Sequence, residues 1–139
     1  MDMMEIRNRC ISTKYKALVT LEKNKGLNGT TGAETVRDGT SRSGFYPVSF
    51  ANGTKYDLTG FSSQLNSGIY GYNANKQFIH RTYAEKRSSI TGFDQSLFVA
   101  GTAQGTGDIR YIRVVQSVEV GSSASIDLVD NIRIILEER

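Results

Sequence analysis

Apolar and polar residues alternate in short runs along this chain, and turns rich in Gly, Asn and Ser separate the runs at spacings of about 8 to 12 residues. A two-residue period turns one side of an extended segment towards a core. A helix would need an apolar stripe at i, i+3, i+4 and i+7, and no segment carries one with caps. In KYKALVTLE, Lys14 to Glu22, the residues Tyr15, Ala17, Val19 and Leu21 share one face, which predicts a strand. Phe45 to Phe50 and Thr54 to Phe61 flank Ala51, Asn52 and Gly53, and Asn-Gly predicts a hairpin between them because both residues tolerate positive φ. Pro47 lacks a donor and suits an edge strand or a strand entrance.

A second hairpin is predicted from Gly68–Tyr72 and Gln77–Tyr83 around Asn73, Ala74 and Asn75. Phe93 to Val99 reads as a short strand, and IRYIRVVQSVEV from Ile109 as a strand apolar on both sides. Ser125 to Glu137 is rich in β-branched residues, which favours a strand with a turn or bulge near Asp130 and Asn131. Asn24 to Ser43 is polar and glycine-broken and reads as a long loop with at most one irregular strand, an unusual length for an uninterrupted connection. The fold class expected is all-β, a two-sheet antiparallel sandwich forming one domain over residues 1–139, with an N-terminal arm at 1–12 and the long loop at 24–43.

Several chemistries are excluded by composition. One cysteine, Cys10, and one histidine, His80, leave no disulfide, no Cys-rich zinc site and no His pair. The 17 Lys and Arg against 14 Asp and Glu give a net charge of only +3, scattered along the 139 residues, which argues against nucleic acid as partner. The opening MDMMEIRNRC has no apolar h-region and no stretch approaches a membrane span of about 20 apolar residues, so a chain soluble as made is expected. Gly101, Gly105 and Gly107 lack the Lys-Ser/Thr of a phosphate cradle, and His80 has no partner that would make it a catalytic base. No enzyme activity is expected.

Read in order, SGFYPVSFANGTKYDLTG, GIYGYNANKQFIHRTY, GDIRYIRVV and SIDLVDNIRIILEE resemble a recurring β-sandwich module of bacteriophage virion proteins, a carbohydrate-binding-type jelly roll. The matching positions are Arg42 to Val48, Gly53 to Leu58, Tyr70 to Ile79, Tyr111 to Val114 and Ile126 to Ile132. The resemblance implies a non-catalytic virion component. The component implied is either a small subunit that decorates or adapts the particle through contacts with other virion proteins or, as a homo-oligomer, with further copies of itself, or a glycan-binding adhesion module of the tail or receptor-binding apparatus. The chain departs from the pattern in the Asn24 to Ser43 segment and in having no tryptophan, the ring most often used as a sugar platform.

For glycan binding, the candidate residues are Tyr70, Tyr72, His80, Arg81 and Tyr83, an aromatic and polar group on one predicted hairpin. Tyr70 and Tyr72 share a face by period two, and such a pair more often fills a core or a subunit contact than a sugar site. Arg81, Arg110 and Arg113 equally fit a subunit contact or a simply exposed surface. Asp127, Asp130 and Asn131 could give oxygen ligands to calcium, or they bond the backbone of a turn. Calcium is the one cofactor the residues suggest. Asn28-Gly29-Thr30 and Asn52-Gly53-Thr54 match the N-glycosylation pattern but read as turns. Protein contacts are expected through the 1–12 arm and the 24–43 segment.

Overall fold

Alternating side chains place Val19, Leu58, Ile69, Ile112, Val114, Ile134 and Leu136 in a layer between two antiparallel sheets, so the protein is an all-β sandwich, as the periodicity predicts. The computed structural model describes residues 14–139; the arm at 1–12 and Cys10 lie outside the described residues. The strands are β1 (Lys16–Val19), β2 (Glu22–Leu27), β3 (Glu34–Arg42), β4 (Tyr46–Pro47), β5 (Tyr56–Thr59) and β6 (Asn66–Tyr72). They continue with β7 (Phe78–Arg81), β8 (Glu85–Lys86), β9 (Ser89–Phe93), β10 (Tyr111–Ser117) and β11 (Ile134–Glu138). One sheet has the order β1-β11-β5-β9. The other runs β2-β3-β10-β6-β7, with β4 beside β10 and β8 beside β6. Successive strands repeatedly change sheet, in jelly-roll-like fashion.

Burial of each large aliphatic side chain in this layer contributes about 1.5–3 kcal/mol, and Leu58, Ile69, Ile112, Val114 and Leu136 are fully enclosed. Polar side chains share this interior, Gln116 and Ser67 among them, and hydrogen bonds offset their desolvation. Gln116 donates through Nε2 to the Ser62 carbonyl (3.0 Å) and Ser67 Oγ (2.7 Å), and its Oε1 accepts from the Ser62 N–H (3.1 Å). Every arm of the amide is thus satisfied, which is the condition for tolerating it there.

Several sequence expectations are corrected. The segment Asn24 to Ser43 is not a loop: β2 and β3 form an antiparallel hairpin closed by a turn at 28–33. Its ladder rests on backbone bonds, and because both faces of this hairpin carry mostly polar side chains, no apolar alternation marks it. Lys14 to Glu22 does not form one strand, since the chain leaves one sheet after Val19 and enters the other at Glu22. Asn52 and Gly53 do take positive φ (58° and 74°), yet the turn joins β4 of one sheet to β5 of the other rather than closing a hairpin. The sandwich needs such a corner, and turn residues do not specify which strands they connect. The strand expected at Phe93–Val99 is shifted to β9, and Gln95–Leu97 is a 3₁₀ turn capped by Asp94. Ser125 to Glu137 divides into a 3₁₀ turn, Ile126–Asn131, and β11. The β6–β7 hairpin and the strand in Ile109–Val120 occur as expected.

Gly60 marks the tightest point of this framework. Its φ is +91° and a methyl group there would overlap the Arg133 carbonyl oxygen, whereas Gly53, also at positive φ, has open space around it. Gly60→Ala is expected to destabilise by more than about 3 kcal/mol and Gly53→Ala by only about 1–2 kcal/mol, the left-handed backbone cost alone. Urea unfolding midpoints check the contrast.

Candidate functional site

On β6 the residues between the core-facing ones point outward: Asn66, Gly68, Tyr70 and Tyr72 lie on the outer face of the larger sheet, beside Ser117, Val115, Arg113 and Tyr111 of β10. An outward stripe carrying this many rings would ordinarily meet water. Here Tyr70, Tyr72 and Phe78 form a second buried cluster, with Leu27, Phe45, Tyr111 and Val115 packed against it. The cover is the β2–β3 hairpin, whose tip folds across the sheet. Tyr72 donates its hydroxyl to the Gly32 carbonyl (2.7 Å), Tyr70 donates to the Leu27 carbonyl (3.4 Å) and Arg81 Nε donates to the Gly29 carbonyl (2.7 Å). Burial pushes the Tyr70 and Tyr72 phenols above their ordinary value, so both stay neutral donors.

An ion pair fixes the hairpin. The Arg113 guanidinium is almost fully buried, with Nε on the Ser43 carbonyl (3.0 Å), Nη2 on Glu34 Oε2 (2.9 Å) and Cζ 4.4 Å from the Phe45 ring centre. Glu34 stands at the start of β3 and also meets Arg42 Nη2 at 3.2 Å. Arg42 in turn donates through Nη1 to the carbonyls of Gly26 and Thr35, both at 2.9 Å, tying the two hairpin strands together. The hydrogen bond from Arg113, followed by its charge, holds the Glu34 carboxyl below its usual value.

Between hairpin and sheet lies a cleft of about 260 Å³. Its floor is Asn66, Gly68, Tyr70, Val115 and Ser117, and Arg81 stands at its side. The opposite wall comes from Leu27, Thr35 and the segment Arg37–Thr40. That segment is a bulge: the β2–β3 register moves between Lys23 and Lys25, from Lys23↔Ser41 to Lys25↔Val36, leaving Arg37 to Thr40 without partners in β2. Thr40 Oγ1 donates to the Arg37 carbonyl (2.7 Å) and Val118 N–H to the Gly39 carbonyl (2.8 Å), so the bulge is held at both ends. Such bulges re-aim side chains, and this one brings Arg37 and Asp38 to the cleft.

The residues expected for a glycan do not act as one group. Tyr70 and Arg81 face each other across the β6–β7 pair and both line the cleft. Tyr72 is 3% exposed beneath the hairpin, so it supports the wall and offers no sugar platform. His80 pairs with Gly71 and therefore points to the other face of the sheet. Tyr83 is 62% exposed but stands outside the cleft. At the residues considered for calcium, Lys23 Nζ lies 3.0 Å from Asp127 Oδ1 and 2.8 Å from Asp130 Oδ2, so both carboxylates are paired with an ammonium. Asn131 ends the same 3₁₀ turn. Among the described residues no three His, Cys, Asp or Glu side chains converge as a metal would require. Asn28 is a turn residue, its Oδ1 accepting from the N–H groups of Thr30 and Thr31.

Sequence reasoning missed Asn66, Gly68, Ser117, Arg37 and Asp38 in the cleft and Glu34 behind it. The first three were available from the two-residue period of β6 and β10. Glu34 was not, because it meets Arg113 across 79 positions of chain. No family model matches the chain, and no curated protein or solved structure shows significant similarity to it.

Glu34→Gln leaves the buried Arg113 charge without its counter-ion and is expected to cost about 1–3 kcal/mol. Because the folded-state value of Glu34 is lowered, its contribution is fully present above the unfolded value near pH 4.3 and is lost as pH falls through the lowered one. Chemical unfolding between pH 7 and pH 3 should show a loss of stability in that acid window that is smaller in the Gln variant. Calcium should leave the melting temperature unchanged, since Lys23 holds the two carboxylates.

Proposed function

We propose that the protein is a non-enzymatic recognition module of a phage particle, a β-sandwich subunit that works by contact, and that the cleft under the β2–β3 hairpin holds a glycan. The cleft is the observation that supports this reading. At about 260 Å³ it lies just below the range of about 300–1,000 Å³ typical of drug-sized ligands, which suits one sugar ring with its substituents. A sugar presents C–H faces rimmed by hydroxyls. Val115, Leu27 and the edge of Tyr70 offer apolar contact for the faces, and Asn66, Ser117, Thr35 and Arg81 offer donors and acceptors for the rim. Their side chains are set to hold and orient, with hydroxyl and amide groups spread around a cavity.

A second reading, a decorating or adaptor subunit held by other virion proteins, is favoured by a different observation. Val36 is 87% exposed on the hairpin and Val120 is 94% exposed in the loop after β10, and Leu18, Tyr83 and Val99 add further exposed apolar surface. Single exposed apolar residues are common on any surface. The cleft therefore carries more weight than the scattered patches.

Gly68 offers a direct test, because the space over it is the cleft itself: an added Cβ would have only ordinary contacts, with Thr82 and Ala84 at 3.8–3.9 Å. Gly68→Val is expected to fill the floor and weaken glycan binding at least about tenfold, the scale of a lost ring-sized contact, while leaving the melting temperature within a few degrees. Glycan arrays followed by calorimetric titration provide the measurement. An array blank for the unmodified protein, or affinity indifferent to Gly68→Val, would overturn the reading.

A further inference from the structure

We infer that the occupant of the cleft carries an anionic group, a carboxylate, sulfate or phosphate borne on a sugar, read by Arg81 and Arg37; this rests on the glycan reading above and narrows it. The argument begins with Arg81. Its Nε donates to the Gly29 carbonyl at 2.7 Å and its Nη1 to the Thr82 carbonyl at 3.0 Å, which fixes the plane of the guanidinium. The third nitrogen, Nη2, has no acceptor among the described residues. The group also lies 6.0 Å from the Tyr70 ring centre, so it is held from below as well as from its edge. A guanidinium fixed by two carbonyls, with its third nitrogen free at a cavity, is preorganised to receive an oxyanion.

Arg37 supplies the second charge. It stands on the bulge opposite, exposed, and no carboxylate among the described residues pairs with it. Asp38 is the one acid in the lining, so the cleft holds two cations against one anion. The other arginines near this face are engaged elsewhere: Arg113 and Arg42 both bond the Glu34 carboxylate, which balances one of their two charges. The lining of the cleft thus carries a net positive charge of its own, beside hydroxyl and amide groups that suit a sugar. Nothing comparable occurs in the cavity beside Asn73, Thr106 and Asp108, where the Asn73 amide is spent on Gln77 and the Thr106 carbonyl.

The test is an array of matched pairs: uronate glycans with their methyl esters, sulfated glycans with their desulfated forms, and glycerol-phosphate polymers with free glycerol, each followed by titration at two salt concentrations. Binding confined to the charged members, weakened at least about tenfold by neutralisation and further by salt, is the expected result. The pair that responds identifies which oxyanion is read. Arg37→Gln, at an exposed position, should weaken the charged ligand about fivefold and leave the melting temperature unchanged. Arg81→Gln should weaken it more, with melting followed in parallel because the Gly29 anchor is also lost. Equal binding of charged and neutral members overturns the inference and leaves the glycan reading standing. No binding by any member overturns both, and an Arg37→Gln affinity equal to that of the unmodified protein removes the bulge from charge recognition.

Discussion

The buried charge of Arg113 is the constraint on which the outer half of the protein depends. Its position on β10, in the middle of the larger sheet and 5% exposed, makes an unpaired guanidinium untenable. The Ser43 carbonyl satisfies one N–H, but only a carboxylate can balance the charge, and among the described residues the one that does so belongs to Glu34. Glu34 opens β3. Pairing it to Arg113 therefore brings the hairpin tip down onto the sheet, and the phenols of Tyr70 and Tyr72 then find the carbonyls of Leu27 and Gly32. Each contact needs the others. Without the hairpin the rings would face water, and without the rings the hairpin tip would have little apolar surface to cover.

This arrangement gives the protein two cores of different kinds. The layer between the sheets is aliphatic at its centre, with Phe50, Tyr56, Phe93 and Phe98 grouped at one end in tilted and edge contacts 5.5–6.4 Å apart. The outer cluster is aromatic and cationic. Phe45 is flanked by Arg113 at 4.4 Å and by Lys76 at 5.0 Å, and it meets Tyr72 edge-on at 5.0 Å. Rings that accept a cation on one face and bury the other suit a sheet surface that is covered without being fully dry. The sandwich core accounts for the fold, while the outer cluster positions the cleft.

The sequence made this division half legible. The period of β6 and β10 announces strands, and the aromatic mass of the Gly68–Tyr83 hairpin announces that something covers them. What covers them was hidden, because β2 and β3 carry polar residues on both sides and their identity as strands resides in the backbone ladder. The bulge at Arg37–Thr40 breaks even the weak alternation that remains. The turn residues Asn52 and Gly53 specify local conformation but not topology. Positive φ reverses or bends the chain, but whether the next strand pairs with the last or crosses to the other sheet is decided by where Tyr56 and Leu58 find a core. The acidic pair near Asp130 shows the same limit: Asp127 and Asp130 are close in the chain, and the Lys23 that neutralises them is more than a hundred positions away.

The same ties that make the outer face stable also prepare it for contact. A flexible hairpin would lose conformational freedom on closing over a ligand, and that loss would subtract from affinity. Here the wall is already anchored at Gly26 and Thr35 by Arg42, at Gly29 by Arg81, at Thr30 by the Thr102 N–H and at Gly39 by the Val118 N–H. These anchors come from β3, β7 and the loops after β9 and β10, so they hold the wall from several directions rather than along one hinge. Arg81 has both duties, since Nε holds the wall at Gly29 and, with Nη1 on the Thr82 carbonyl, fixes the plane of the guanidinium beside the cleft. Under the proposed function, the cleft would therefore be shaped before its ligand arrives, and the stability of the hairpin and the selectivity of the site would share one side chain.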